Sequence, residues 1–198
     1  MARRKKGLSF YQKKKTISRS LVAEIASWAF VVAMAVLLAF VIVFTIGRYT
    51  TVIGDSMNPT LVNGQKVLMN RLEYMVSSPD RGEVIIFLPH GNENYHYYTK
   101  RVVGLPGESV QIIDGKLYID GALLEEGDAF DLMEEAGIAS TAINLGENEF
   151  FVLGDNRNNS EDSRSADIGI VMKNWIIGKA WFKLGGDGAA SGFIKAVD

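Results

Sequence analysis

Cysteine is absent from this 198-residue sequence. That excludes a disulfide framework and thiolate chemistry, so stability has to come from an ordinary apolar core. Histidine is nearly absent: the two present, His90 and His96, flank a Gly- and Asn-containing loop with no metal-ligand pattern beside them. They read as loop residues rather than as ligands or a general base.

Acid is missing from the first 20 residues, which carry Arg3, Arg4, Lys5, Lys6, Lys13, Lys14, Lys15 and Arg19. Taking those eight from the total of 21 basic residues leaves 13 against all 23 acidic ones. The rest of the chain is therefore acidic, which argues against a nucleic-acid surface there, because phosphate binding needs clustered Lys and Arg. Charge of either sign then disappears from Ile25 to Ile46, "IASWAFVVAMAVLLAFVIVFTI", a run about 33 Å long as a helix and enough to span a bilayer. A cleaved secretory signal has a shorter apolar core, about 7 to 15 residues, and a small-residue cleavage site after it. Here "GRYTTVIG" offers no such site. We read residues 1–24 as a basic cytoplasmic arm and 25–46 as a retained membrane anchor. Flanking Lys and Arg stay on the cytoplasmic side, so the chain from about residue 48 onward faces outward. Glu24 falls at the inner boundary, where it reaches water.

Long apolar stripes of helical period are missing from the outer domain, residues 47–184. Short β-type runs take their place: "KVLMN" (66–70), "EVIIFL" (83–88), "HYYTKRVVG" (96–104), "EFFVL" (149–153) and "WIIGKAWFKL" (175–184). Asp114-Gly115 between two β-prone segments is the strongest short hairpin signal, and Asp120-Gly121 repeats it. The expected fold is mainly β, with antiparallel strands. The stretch 125–148 holds acids without one Lys or Arg, as a solvated loop or short helix does. The Gly-rich tail, 185–198, is expected to be loosely held.

Three stretches carry candidate chemistry. In "GDSMNPTL" (54–61), Ser56 is either a turn residue, in the company of Gly, Asp, Asn and Pro, or a nucleophile that needs a base. Lys100 is one candidate base. In an extended strand it shares a face with Tyr98 and Val102, while Thr99, Arg101 and Val103 take the other. A lysine base has to fall from about 10.4 toward 7 or 8, which burial in apolar company supplies; the alternative is an ordinary surface lysine. In "GDNRNNSEDSR" (154–164), Asp155, Arg157, Asp162 and Arg164 alternate in sign. They make either a hydrogen-bonded loop or a salt-bridged scaffold in which Ser160 could orient a base.

Taken together and in this order behind an apolar anchor, "GDSMNPTL", "YTKRVVGLPGE" and "GDNRNNSEDSR", with "RGEVIIF" (81–87) between the first two, resemble the sequence boxes of type I signal peptidases. The resemblance covers most of residues 52–182. It implies an antiparallel, barrel-like β catalytic domain behind one transmembrane helix, and a Ser/Lys endopeptidase that removes signal peptides from exported preproteins after small residues in an A-x-A pattern. By position Ser56 matches the nucleophile, Lys100 the general base and Ser160 the serine that orients it. Asp155, Arg157, Asp162 and Arg164 match the polar scaffold, and Val52, Met57, Tyr98 and Thr99 would line the pockets that select alanine. The backbone N–H of Ser56 matches an oxyanion donor. Some members add a serine hydroxyl two residues earlier, where this chain has Gly54, as short single-anchor members of Gram-positive type also do. The resemblance implies a bacterial cell membrane, no metal or cofactor, and signal peptides and the lipid bilayer as partners.

Three other readings fit parts of this sequence. Self-cleaving repressor-type proteases use the same pair but are soluble and carry a DNA-binding domain, which the anchor argues against. A processing peptidase of narrow specificity has the same mechanism and differs in its substrates. A non-catalytic membrane-anchored β binding domain would have no use for both Ser56 and Lys100.

Overall fold

The structure, a computed structural model, describes residues 19–46, 48–126, 129–186 and 189–197. Most of the basic arm, residues 1–18, lies outside them. The chain divides into two units at residues 41 and 42. The first contains most of α1 (Arg19–Ile46), whose uncharged run is long and apolar enough to cross a membrane. The helix begins six residues before the apolar run, at Arg19, and its described side chains are exposed. A helix apolar on all sides suits a lipid environment.

The second unit is antiparallel β. In chain order its strands are β1 (Arg48–Thr51), β2 (Lys66–Asn70), β3 (Val84–Phe87), β4 (Tyr98–Gly104), β5 (Ser109–Ile113), β6 (Lys116–Ile119), β7 (Ala122–Leu123), β8 (Ile143–Asn144), β9 (Glu149–Leu153), β10 (Val171–Met172), β11 (Ile176–Lys183) and β12 (Gly192–Phe193). The larger sheet runs β1-β2-β11-β3-β4-β9-β10, with β12 added to β11; the smaller runs β7-β6-β5-β8.

Burial explains why the central strands read as continuous apolar runs rather than alternating ones. In β3, Val84 and Ile86 enter one core cluster with Val52, Met57 and Leu61, while Ile85 and Phe87 enter another with Val102, Phe150 and Val152. In β9, Phe150 and Val152 join that second cluster, and Phe151 and Leu153 join a third with Val103, Val110 and Leu117. Side chains alternate faces at a period of two, and here both faces are covered. Each such Phe, Ile or Leu contributes about 1.5–3 kcal/mol by leaving water.

The two hairpins form where the Asp-Gly pairs predict them. Asp114 and Gly115 have φ of 50° and 75°, and Asp120 and Gly121 of 51° and 77°. Two consecutive positive φ values make the mirror-image turn whose twist matches that of the strands it joins.

Two parts differ from expectation. The described residues of the tail are docked: β12 pairs with β11, Ile194 packs on the core, and the buried Gln65 amide donates to the carbonyls of Leu184 and Ala190. Phe193 and Ile194 pair and pack, and neither interaction is visible in a glycine count. Within 125–148, most acids are exposed as a solvated loop requires, but Glu126 faces inward to a buried arginine.

Candidate active site

The segment after β1 turns back on itself, and its geometry places Ser56. Val52 N–H donates to Gln65 O, and Gly64 N–H to Val52 O, at 2.9 Å each. Gly54, at φ +82°, takes a left-handed conformation that favours glycine, and its N–H donates to Asn63 Oδ1 at 3.0 Å. Val52, Met57 and Leu61 are buried and anchor the segment in the core. From the other side, Asn156 N–H donates to Ser56 O at 3.0 Å, and its side-chain amide to Asp55 O at 3.2 Å. The N–H of Ser56 has no protein acceptor among the described residues.

Lys100 comes from β4, where it pairs with Ile85. Its Nζ lies 2.6 Å from Ser56 Oγ and 5.4 Å from the centre of the Tyr98 ring. The side chain is 3% exposed. Burial pushes the amine down from 10.5 to about 8, against the pull of the Asp162, Glu161 and Asp155 carboxylates. At pH 7 about one molecule in ten then carries it neutral.

The loop 154–164 leaves β9 beneath Ser56. Asp162 accepts from Gly154 N–H at 3.0 Å and grips Arg164 through Nε and Nη2, both at 2.9 Å. Of the four charged residues Asp155, Arg157, Asp162 and Arg164, Asp162 and Arg164 pair within the loop. Asp155 pairs with Arg101 of β4, and Arg157 pairs with Glu126. Ser160 Oγ is buried without a hydrogen-bond partner among the described residues; in this structure it does not bond Lys100.

The pair opens into a cleft of about 220 Å³, lined by Val52, Ile53, Gly54, Asp55, Ser56, His96, Tyr97, Tyr98, Thr99, Lys100, Asn159 and Glu161. Of the residues expected at the pockets, Val52, Tyr98 and Thr99 line this cleft. Met57 does not: its side chain is fully buried in the core below, because the residue after Ser56 turns inward. A larger cavity of about 650 Å³ shares Asp55 but does not reach Lys100.

Sequence reasoning missed Arg101, Glu126 and Glu161. Arg101 had a signal: on a strand buried on both faces, a guanidinium demands a carboxylate. His96 is an exposed loop residue, as expected, and it stacks on Tyr98 at 4.8 Å and lines the cleft. Among the described residues no group of three or more His, Asp or Glu is placed to hold a metal ion.

The site thus sets a serine hydroxyl against a buried amine in an open cleft on an antiparallel β domain. Comparison with known proteins gives the family. The family described as signal peptidase, peptidase S26, matches residues 25–184. Signal peptidase I S of Bacillus subtilis (strain 168) is 34% identical over 171 residues, 80% of this chain and 88% of the relative. Signal peptidase IB of Staphylococcus aureus (strain COL) is 32% identical over 179 residues, 81% of this chain and 89% of the relative. A crystal structure of a signal peptidase I from Enterococcus faecalis V583 is 30% identical, with a TM-score of 0.39, and covers 52% of this chain and 97% of that one. The chain belongs to the signal peptidase family, peptidase S26, and its fold is mainly antiparallel β behind one apolar helix.

Proposed function

We propose that this protein is a membrane-bound serine endopeptidase that cleaves N-terminal signal peptides from exported preproteins after small residues in an A-x-A pattern, with Ser56 as nucleophile and neutral Lys100 as base. The observation that carries the reading is the 2.6 Å contact from Lys100 Nζ to Ser56 Oγ, made by an amine that burial brings to about 8.

The neutral amine takes the hydroxyl proton as Oγ attacks the scissile carbonyl carbon. The oxyanion that forms is met by the Ser56 N–H, which has no competing protein acceptor among the described residues. When the C–N bond breaks, the Lys100 ammonium returns its proton to the leaving amine, and an ester on Ser56 remains. Lys100 then deprotonates water, which attacks the ester and releases the carboxylate and the Ser56 hydroxyl. Ser160 is assigned by position to orient the amine; its buried Oγ makes no bond among the described residues and is available to accept or donate when the proton moves. Asp155, Arg157, Asp162 and Arg164 hold the loop beneath the pair. Val52, Tyr98 and Thr99 shape the pockets for small side chains, with Met57 supporting them from below.

Orientation follows from charge: the basic arm stays cytoplasmic, α1 spans the bacterial cell membrane once, and the β domain lies outside, where signal peptides are presented. The test is cleavage of a preprotein with an A-x-A site by full-length protein in detergent. Wild type is expected to cut at that site, and Ser56→Ala and Lys100→Met to lose several powers of ten in rate. Wild-type rates in either variant would overturn the dyad. A panel of unrelated preproteins then separates broad processing from narrow specificity.

A further inference from the structure

The loop 154–164 turns Asn159 and Glu161 to the cleft, and Glu161 is the charged one of the two. Asp162 and Ser163 are fully buried, and Ser160 Oγ is buried too, whereas Glu161 between them is exposed and lines the same cleft as Ser56 and Lys100. It is not free to swing: its Oε2 accepts from the Tyr98 hydroxyl at 3.1 Å. Tyr98 in turn stacks on His96 and packs against the core cluster of Ile85 and Val102. Burial also pushes the phenol of Tyr98 up, helped by Glu161, so the phenol stays a donor. Glu161 forms no ion pair among the described residues.

Resting on the peptidase reading, we propose that Glu161 is a specificity-determining residue of this cleft, an acid that favours substrates with a positively charged side chain beside the scissile bond and disfavours those with a negative one. The other charges lining the cleft are Asp55, which is exposed and of the same sign, and Lys100, which is buried against Ser56. An incoming cation therefore meets an acidic wall. A carboxylate held at one oxygen loses less freedom on pairing than a mobile one, so more of the Coulomb attraction survives. The same charge acts on the base. Lys100 faces Asp162, Glu161 and Asp155 as carboxylates, with burial opposing all three, and shares the cleft with His96 and Asp55. Removing the Glu161 charge lets the amine lose its proton at lower pH.

The experiment uses full-length protein in detergent and a set of A-x-A substrates that differ only in carrying Lys, Gln or Glu at one position, either the middle residue of the A-x-A or one of the three residues after the scissile bond. Wild type is expected to rank them Lys over Gln over Glu by about threefold per step at one or more positions, with the ranking flattened near 0.5 M salt, where the Debye length is only about 4 Å. Glu161→Gln should abolish the ranking and move the acid limb of kcat/KM to lower pH, and Glu161→Asp should restore both. A wild type that cuts the Gln substrates with no charge ranking, or a ranking that persists in Glu161→Gln, overturns the proposal and leaves the peptidase reading standing. If wild type cuts none of the set while retaining its fold, the peptidase reading fails, and the role of Glu161 with it.

Discussion

The Arg101 guanidinium grips both carboxylate oxygens of Asp155, with Nε at 2.8 Å from Oδ1 and Nη2 at 2.6 Å from Oδ2, and the two side chains are 2% and 0% exposed. The remaining guanidinium nitrogen, Nη1, donates to the carbonyls of Gly82 and Lys195. One buried cation thus ties the residue next to Lys100 to the residue after Gly154 and to the C-terminal tail.

Breaking such a pair from one side leaves an uncompensated buried charge. Arg101→Met or Asp155→Leu alone should destabilise the domain by about 3–5 kcal/mol. The double variant Arg101→Met/Asp155→Leu should lose less than the sum, since the partners share one interaction. Denaturant unfolding of the four proteins in detergent checks this; additive losses would mean that the pair is not the unit of stability.

Lys100 gives a pH signature in both rate and stability. With the amine at about 8, kcat/KM should rise about tenfold per pH unit below that value and level off above it. The folded state disfavours the charged amine, so between about 8 and 10.5 the unfolded chain binds the extra proton and stability rises with pH; below 8 the cost is constant. That cost is about 3 kcal/mol at pH 7. Lys100→Met removes it and loses one hydrogen bond worth about 1 kcal/mol, so the inactive variant should be more stable than wild type by about 2 kcal/mol at pH 7 and should lack the alkaline slope. A destabilised Lys100→Met, compared by thermal unfolding at pH 7 and 10, would contradict the buried-base assignment.

Glu126 anchors the acidic stretch. Its carboxylate takes Arg157 Nη1 and Nη2 at 3.0 and 2.5 Å, and the Phe130 ring lies 4.2 Å from the guanidinium carbon. The Arg157 side chain is 1% exposed. Glu126→Gln should therefore cost about 3 kcal/mol, whereas the same change at exposed Glu134 should cost under about 0.5 kcal/mol. Thermal unfolding of the two variants measures the contrast.

The parts of the fold legible in the sequence are those whose cause is local. "KVLMN" and "EFFVL" coincide with β2 and β9 because apolar runs bounded by turn residues leave little choice, and two Asp-Gly pairs specify two turns. Ser56, Lys100 and the loop 154–164 were legible through motif and strand parity. What escaped depends on contacts distant in sequence. β12 exists because β11 offers an edge, Glu126 turns inward because Arg157 lies 31 residues away, and Met57 is core because the segment around Ser56 folds down on Leu61 and Val67. Glu161 looked like one more charge in a polar loop until Tyr98, 63 residues earlier, placed it in the cleft.

Gly154 is the position where steric tolerance should decide activity. Its N–H is fixed by Asp162 Oδ2, and its α-carbon sits so close under the nucleophile that a Cβ would lie 2.5 Å from Ser56 O and 2.2 Å from Ser160 Oγ. Neither neighbour can yield easily: the carbonyl of Ser56 is backbone, held by Asn156 N–H, and the Ser160 hydroxyl is enclosed. Gly154→Ala should therefore push Ser56 out of line with Lys100. A displacement of about 1 Å can cost about a hundredfold in rate, against an overpacking cost in stability of about 1–3 kcal/mol. Gly107 supplies the control for a glycine lost elsewhere: an added Cβ there meets nothing within 4 Å, although its φ of +84° strains any side chain. Gly107→Ala should lower stability by about 1 kcal/mol and leave kcat/KM on an A-x-A substrate within about twofold. Equal rate losses in the two variants would mean that activity tracks stability alone, and that the space at Gly154 does not hold the nucleophile in place.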